Sequence, residues 1–66
     1  MTYWFEVVGE DSDFCGEEFF VEVGCFEEDP LASAWDVAVS NFPDEELECH
    51  GKVSFGFAEM MGYDTY

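Results

Sequence analysis

Three groups of carboxylates have the residue types and spacing to bind a charged partner. They are Glu10, Asp11 and Asp13; Glu27, Glu28 and Asp29; and Asp44, Glu45, Glu46 and Glu48. Carboxylates two positions apart on a strand lie about 6.7 Å apart, a separation comparable to that of successive phosphates in a nucleic-acid strand. Lys and Arg side chains that bind phosphates also bind carboxylates. The groups therefore predict contact with a basic protein site built for DNA, and the alternative is unrelated hydrated surface.

The net charge favours the same class of partner. The 66 residues include 17 Asp and Glu and a single Lys or Arg, Lys52, which gives a formal net charge of −16. Such self-repulsion destabilises a compact state and exceeds what solubility requires. Direct nucleic-acid binding is excluded because phosphates would be repelled, so we expect a partner with a basic surface. The alternative is halophilic adaptation or simple solvation of the surface.

The stretch from Asp11 to Glu22 partly matches a calcium-binding loop. Asp11, Asp13, Gly16 and Glu22 fall on positions one, three, six and twelve of the EF-hand pattern. The fifth position is Cys15, a poor calcium ligand, and the flanking segments are typical of strands rather than helices. The sequence favours an acidic hairpin turn and leaves a calcium-binding domain as the weaker alternative.

No other chemistry is predicted. Cys15, Cys25, Cys49 and His50 match no structural zinc spacing, and no nucleophile or distinct acid–base pair stands out. The chain is therefore predicted to be neither an enzyme nor a cofactor-binding protein. The odd set of cysteines without a C-x-x-C motif predicts reduced, partly buried thiols in a cytosol, with one disulfide left open.

One helix is predicted over Asp29 to Phe42. Its apolar residues recur at three- and four-residue steps and form one stripe: Leu31, Ala34, Trp35, Ala38 and Phe42. Asp29 is a suitable N-cap and Pro30 suits the first helical position, while Pro43 discourages continuation.

Two strands precede this helix. Residues from Thr2 to Val8 and from Glu17 to Val23 are rich in aromatic and β-branched types. The short acidic connection between them predicts an antiparallel hairpin. In the second strand, Phe19, Val21 and Val23 share one face and Glu18, Phe20 and Glu22 share the other.

After the helix, residues 46–57 alternate between apolar and polar types. Leu47, Cys49, Val53, Phe55 and Phe57 would face one way, and Glu46, Glu48, His50, Lys52 and Ser54 the other. Either one long strand or a hairpin fits this pattern. The hairpin, with a three-residue loop over Cys49-His50-Gly51 and positive φ at Gly51, is slightly favoured. In the tail, Met60, Met61 and Tyr63 are candidates to close one end of the core.

Together these elements predict a single α+β domain over residues 1–66, with an antiparallel sheet of three or four strands and one helix across one face. The order is ββαβ, with ββαββ as the alternative. No secretory signal or membrane span is visible in the sequence, so no membrane partner is expected.

The hairpin run DFCGEEFFVEVG resembles the corresponding hairpin of a small phage-encoded anti-CRISPR protein. The similar positions are Asp13, Phe14, Gly16, Glu18, Phe19, Val21, Glu22 and Gly24. Length, acidity and a helix following the hairpin also agree. Acids that this family places within its helix have no counterpart here, where Ser33 and Ala34 occupy that region.

The resemblance implies a DNA-mimic inhibitor of a type I CRISPR surveillance complex, acting where the large subunit reads the PAM. It implies a partner-contact role for Asp13, beside Phe14, and it implies expression from a phage or mobile element in the cytoplasm of a bacterial host. The alternative from the residues alone is an acidic module that binds another basic protein, such as a restriction or repair factor or a DNA-binding regulator.

Overall fold

The computed structural model describes all 66 residues and contains three strands and two helices. The elements are β1 (Thr2–Val7), β2 (Glu18–Glu22), α1 (Pro30–Asn41), β3 (Leu47–Val53) and α2 (Phe55–Met61). The strands form one antiparallel sheet in the order β2-β1-β3. The predicted α+β class and the order ββαβ are confirmed, and α2 is a further element.

The helix α1 begins and ends close to the predicted bounds. The Asp29 carboxylate accepts a hydrogen bond from the Ala32 N–H at 3.2 Å, and this contact caps the first turn. Ala34 and Ala38 are fully buried, so the backbone of α1 lies close to the sheet. The prediction that Leu31 belongs to the buried stripe is wrong, because the stripe is centred on the two alanines and Leu31, at 42% exposure, lies on its flank.

The core lies between α1 and one face of the sheet. Its six buried residues are Phe5, Val7, Phe19, Val21, Ala34 and Ala38. Partly buried residues surround them: Tyr3, Val23, Trp35, Val37, Phe42, Leu47 and Cys49. The rings of Phe19 and Phe42 stack at 4.5 Å between centroids, and Trp35 meets Phe5 edge-on at 4.9 Å. This packing confirms the predicted inward face of β2.

The hairpin predicted at Cys49-His50-Gly51 is wrong, because β3 is one continuous strand paired with β1. The register changes midway, where Cys49 pairs with Phe5 and Gly51 pairs with Trp4. His50 is therefore an inserted residue, which defines a β-bulge. Gly51 has the predicted positive φ, +107°, but it serves this bulge rather than a turn.

The bulge also changes which residues share a face. Cys49 packs into the core beneath α1, whereas Val53 pairs with Thr2 on the opposite face. The predicted common face of Leu47, Cys49, Val53, Phe55 and Phe57 is therefore wrong beyond the bulge. The alternative of one long strand over residues 46–57 is also wrong, because Phe55 and Phe57 lie in α2. The strand ends at Val53 because Ser54 caps α2, accepting a hydrogen bond from the Phe57 N–H at 3.1 Å.

The second face of the sheet is covered by α2 and the tail. Phe57 lies against Trp4, with 5.5 Å between ring centroids, and Tyr63 stacks on Phe20 at 5.4 Å. The tail then runs parallel to β2, since the Phe20 N–H donates to the Asp64 carbonyl at 2.8 Å. The predicted fold has one covered face, and the structure has two.

Candidate functional site

The first acidic group lies on the connection between β1 and β2. Tight turns shape this segment: the Ser12 N–H donates to the Gly9 carbonyl at 3.1 Å, and the Cys15 N–H donates to the Ser12 carbonyl at 3.2 Å. Asp13 is exposed and Phe14 is 51% exposed. The Phe14 ring also meets the Phe42 ring edge-on, with 6.1 Å between their centroids. The connection therefore presents a carboxylate and an aromatic ring side by side to solvent.

The third acidic group follows α1 and lies beside the first. Asp44 has a positive φ of +68°, which turns the chain back toward the sheet. The Val8 N–H then donates to the Glu46 carbonyl at 2.9 Å, and this bond holds the segment against Gly9. The two connections meet although more than thirty residues separate them in the sequence.

Where they meet, the two connections form an open cleft of about 300 Å³ without an apolar side chain in its lining. It is lined by Gly9, Glu10, Asp11, Ser12, Asp44, Glu45 and Glu46. Five of these seven residues are carboxylates, and no basic side chain lines the cleft. We call this feature the acidic cleft.

The second acidic group lies at the other end of the molecule and has local partners. Asp29 caps α1, and Glu27 accepts a hydrogen bond from the Ser33 hydroxyl at 3.2 Å. The helix that follows has 12 residues and spans about 18 Å before it reaches the acidic cleft. Only Glu28 of this group is left without an internal hydrogen bond.

The predicted contact residues therefore do not form one surface. Glu10, Asp11, Asp44, Glu45 and Glu46 come together in the acidic cleft. Asp13 and Phe14 lie on the same connection, next to the cleft. Glu48 lies elsewhere, because it pairs with Glu6 across β1 and β3 and so belongs to the sheet face covered by α2.

Most carboxylates have no partner inside the molecule. Only Glu6, Glu18, Glu27 and Asp29 accept side-chain or capping hydrogen bonds, so thirteen of the seventeen make none. The only contact between a carboxylate and a nitrogen-bearing side chain is the hydrogen bond between His50 and Glu6. Lys52 is the only Lys or Arg in the chain, and it forms no ion pair with any of the acids. The negative charge is therefore left for solvent or for another molecule.

A second polar cluster, which the sequence analysis missed, lies on the face covered by α2. The His50 Nε2 atom is 2.8 Å from the Glu6 Oε1 atom, and Glu6 pairs with Glu18 across β1 and β2. One ligand-type atom from each of these three residues lies within 4.8 Å of the other two. The hairpin register predicts the two glutamates as neighbours, and the one signal for the bulge that positions His50 is Gly51, a glycine inside a strand pattern.

Aromatic side chains enclose this cluster. Tyr63 donates its hydroxyl hydrogen to the Glu18 carboxylate at 2.8 Å. That hydrogen bond, followed by desolvation and by the charges of Glu18 and Glu6, raises the pKa of Tyr63 above its ordinary value. The Trp4 ring lies 4.5 Å from the His50 ring, and the Trp4 indole N–H is buried without a hydrogen-bond partner.

The structure does not assemble the two metal sites weighed from the sequence. Glu22 pairs with Thr2 at the far end of β2, away from the loop that carries Asp11 and Asp13, so the calcium-loop ligands do not converge. The cysteines are all free, and the prediction of partly buried thiols is confirmed for Cys49 but wrong for Cys15 and Cys25, which are exposed. No disulfide forms between them.

No protein-family model, curated protein or solved structure matches this chain. Neither helix has the length and apolar character needed to cross a bilayer.

Proposed function

We propose that this protein is a DNA-mimic inhibitor whose carboxylates occupy a Lys- and Arg-lined DNA site on another protein and exclude DNA from it. The observation that carries the proposal is the acidic cleft, where two distant connections bring five carboxylates together. None of the five accepts a side-chain hydrogen bond within the protein. Their acceptor capacity is therefore available to an external donor.

A basic partner would relieve the energetic cost of this arrangement. Like charges held close together repel one another, and the net charge of −16 adds long-range self-repulsion. The backbone hydrogen bond from the Val8 N–H to the Glu46 carbonyl joins the two connections despite that repulsion. A Lys- or Arg-lined site would form charge-assisted hydrogen bonds with the same groups.

The target we propose is a type I CRISPR effector complex, at the site where its large subunit reads the PAM. The support is the resemblance of the run DFCGEEFFVEVG to an anti-CRISPR hairpin, together with the exposure of Asp13 and Phe14 at the tip of that hairpin. An exposed aromatic ring suits the centre of a protein interface, where aromatic residues are enriched, and the adjacent carboxylate can accept charge-assisted hydrogen bonds from a basic partner.

A competition assay tests this function. A purified type I effector complex is incubated with a labelled PAM-containing duplex, and increasing amounts of the protein are added. We expect displacement of the duplex, weakening steeply with added salt. The variant Asp13→Lys replaces an attraction with a repulsion, and loss of a desolvated charge partner costs about 2–5 kcal/mol. We therefore expect displacement to weaken by at least about thirtyfold.

The matched control is Glu59→Lys, which makes the same change in net charge on α2, away from the hairpin tip. It should displace DNA nearly as well as the parent, and circular dichroism should show both variants folded. Simultaneous binding of the parent and DNA to the complex would refute mimicry. Equal weakening by both variants would assign inhibition to net charge rather than to Asp13. Binding to another basic protein, with no binding to the effector complex, would refute the proposed target but not the proposed role of the acidic surface.

A further inference from the structure

We propose that Glu6, Glu18 and His50 form a binding site for a divalent transition-metal ion of the zinc type. The site lies on the sheet face covered by α2 and is separate from the acidic cleft. Each residue comes from a different strand, so the three side chains form a row across β2, β1 and β3. Side chains that project from strands are held more precisely than those on loops.

The geometry suits coordination of a single ion. One oxygen of each glutamate and one ring nitrogen of His50 lie within 4.8 Å of one another. The Glu6 and His50 side chains are 30% and 29% exposed, so an ion can reach them from solvent. The His50 Nε2 atom already faces the Glu6 carboxylate at 2.8 Å, and a bound ion would replace the proton between them.

The donor set selects the class of metal. An imidazole nitrogen favours zinc, copper and nickel, whereas calcium and magnesium prefer oxygen-only shells. Three protein ligands with a fourth position open to water is a common zinc arrangement. The set of two carboxylates and one imidazole therefore fits Zn²⁺ better than the alkaline-earth ions that the acidic groups alone would attract.

Groups around the three ligands hold them in place. Tyr63 donates a hydrogen bond to Glu18 at 2.8 Å, which orients that carboxylate. The Trp4 ring, 4.5 Å from the His50 ring, restricts rotation of the imidazole. Outer contacts of this kind tune ligand geometry in metal sites.

Repulsion between neighbouring carboxylates favours binding of a cation. Glu6 stands directly opposite Glu18 on one side and Glu48 on the other, and like charges in cross-strand positions destabilise a sheet. A dication would neutralise two of these three carboxylates. The hydrogen bond between His50 and Glu6 engages only one of the three carboxylates.

The experiment uses the intact chain after treatment with a chelator. Because His50 is the only histidine, its ring signals can be followed by NMR while ZnCl₂ is added. We expect them to shift until one equivalent of zinc has bound, and calorimetry should give the same stoichiometry. The variants Glu6→Gln, Glu18→Gln and His50→Gln should each weaken zinc binding by at least about tenfold.

Two controls separate this site from other zinc-binding groups. Cys15 and Cys25, the two exposed cysteines, are replaced by Ser, because exposed thiols also bind zinc, and Glu59→Gln tests a carboxylate outside the site. Neither change should alter the stoichiometry or the affinity, and MgCl₂ should leave the His50 signals unmoved. Unshifted His50 signals, or zinc affinity unchanged in His50→Gln, would overturn the proposal.

Discussion

The two faces of the sheet are packed in different ways. Between α1 and the sheet lie six buried residues, all of them apolar, four from the strands and two from α1. Beneath α2 and the tail, the fully buried Phe20 is accompanied by two carboxylates, an imidazole, a tyrosine hydroxyl and an unpaired indole N–H. α1 contributes two buried alanines, whereas α2 contributes no buried residue.

The α1 face and the α2 face therefore contribute differently to stability and to the placement of polar groups. Close apolar packing on the α1 face supplies most of the stability, since hydrophobic burial is the dominant favourable term in folding. The looser cover on the α2 face leaves Glu6 and His50 about 30% exposed, so their polar groups stay partly hydrated and cost less than fully buried ones would. Charged chemistry is therefore tolerated on one face only.

The largest expected effect comes from Trp35→Ala on the α1 face. The Trp35 ring is half-buried and meets Phe5 edge-on at 4.9 Å, and truncation of a core aromatic costs about 3–5 kcal/mol. A chain of this length has a total stability of about 3–10 kcal/mol. We expect loss of the cooperative thermal transition measured by circular dichroism. A variant that melts within a few degrees of the parent would contradict the assigned role of this face.

The matched change on the α2 face is Phe57→Ala. Phe57 is also a half-buried aromatic residue on a covering helix, and it contacts Trp4 and Phe20. Because the packing there is looser, we expect a loss of about 1–2 kcal/mol with the cooperative transition retained. Urea unfolding monitored by tryptophan fluorescence measures it. A loss as large as that of Trp35→Ala would show that both faces support the fold equally.

Screening of charge should stabilise the parent. Thirteen carboxylates lack an internal hydrogen bond, and 0.1 M salt screens over about 10 Å. We expect the melting temperature to rise by a few degrees between low and moderate NaCl. The variant carrying Glu10→Gln, Glu45→Gln and Glu46→Gln should show a smaller rise, because it removes charge from the acidic cleft. A flat or falling melting temperature in the parent would contradict this reasoning.

The smallest expected effect is a gain in stability from Glu48→Gln. Glu48 faces Glu6 across the sheet and accepts no hydrogen bond, so the change removes repulsion without breaking a contact. Cross-strand pairs contribute about 0.2–1 kcal/mol, which corresponds to a rise of about 1–8 °C in melting temperature. The control is Glu22→Gln, which lies opposite Thr2 and should change little. An unchanged or lower melting temperature for Glu48→Gln would mean that the charge row is already screened.

The elements that could be predicted from the sequence are those whose apolar residues keep one spacing from the first residue of the element to the last. α1 and the hairpin of β1 and β2 each have an apolar pattern that matches one element from end to end, and both are confirmed. The stretch 46–57 alternates throughout, yet it contains a strand, a bulge and the start of α2. Ser54 and Gly62 are the start and stop signals of α2. The helix has only seven residues, one of them a glycine, so its helical periodicity is weaker than the strand-like alternation of the same stretch.

The site was predictable only in its composition. The acid groups are visible in the sequence, but their convergence depends on a backbone bond between Val8 and Glu46, across a long loop. The cluster around His50 depends on a one-residue insertion in β3, and a bulge leaves no periodic trace in the sequence. Strand register decides which residues from distant parts of the chain become neighbours, and the apolar pattern of a single strand does not specify that register.

The pairing of the tail with β2 has a consequence for association between molecules. The tail bonds to the N–H groups of Phe20 and Glu22, so it occupies the outer edge of β2 and blocks the addition of a foreign strand there. The opposite edge, formed by β3, has no neighbouring strand. A bulge and the charged residues Glu48 and Lys52 make that edge a poor template. Sheet-to-sheet aggregation must therefore begin either at β3 or by detachment of the tail.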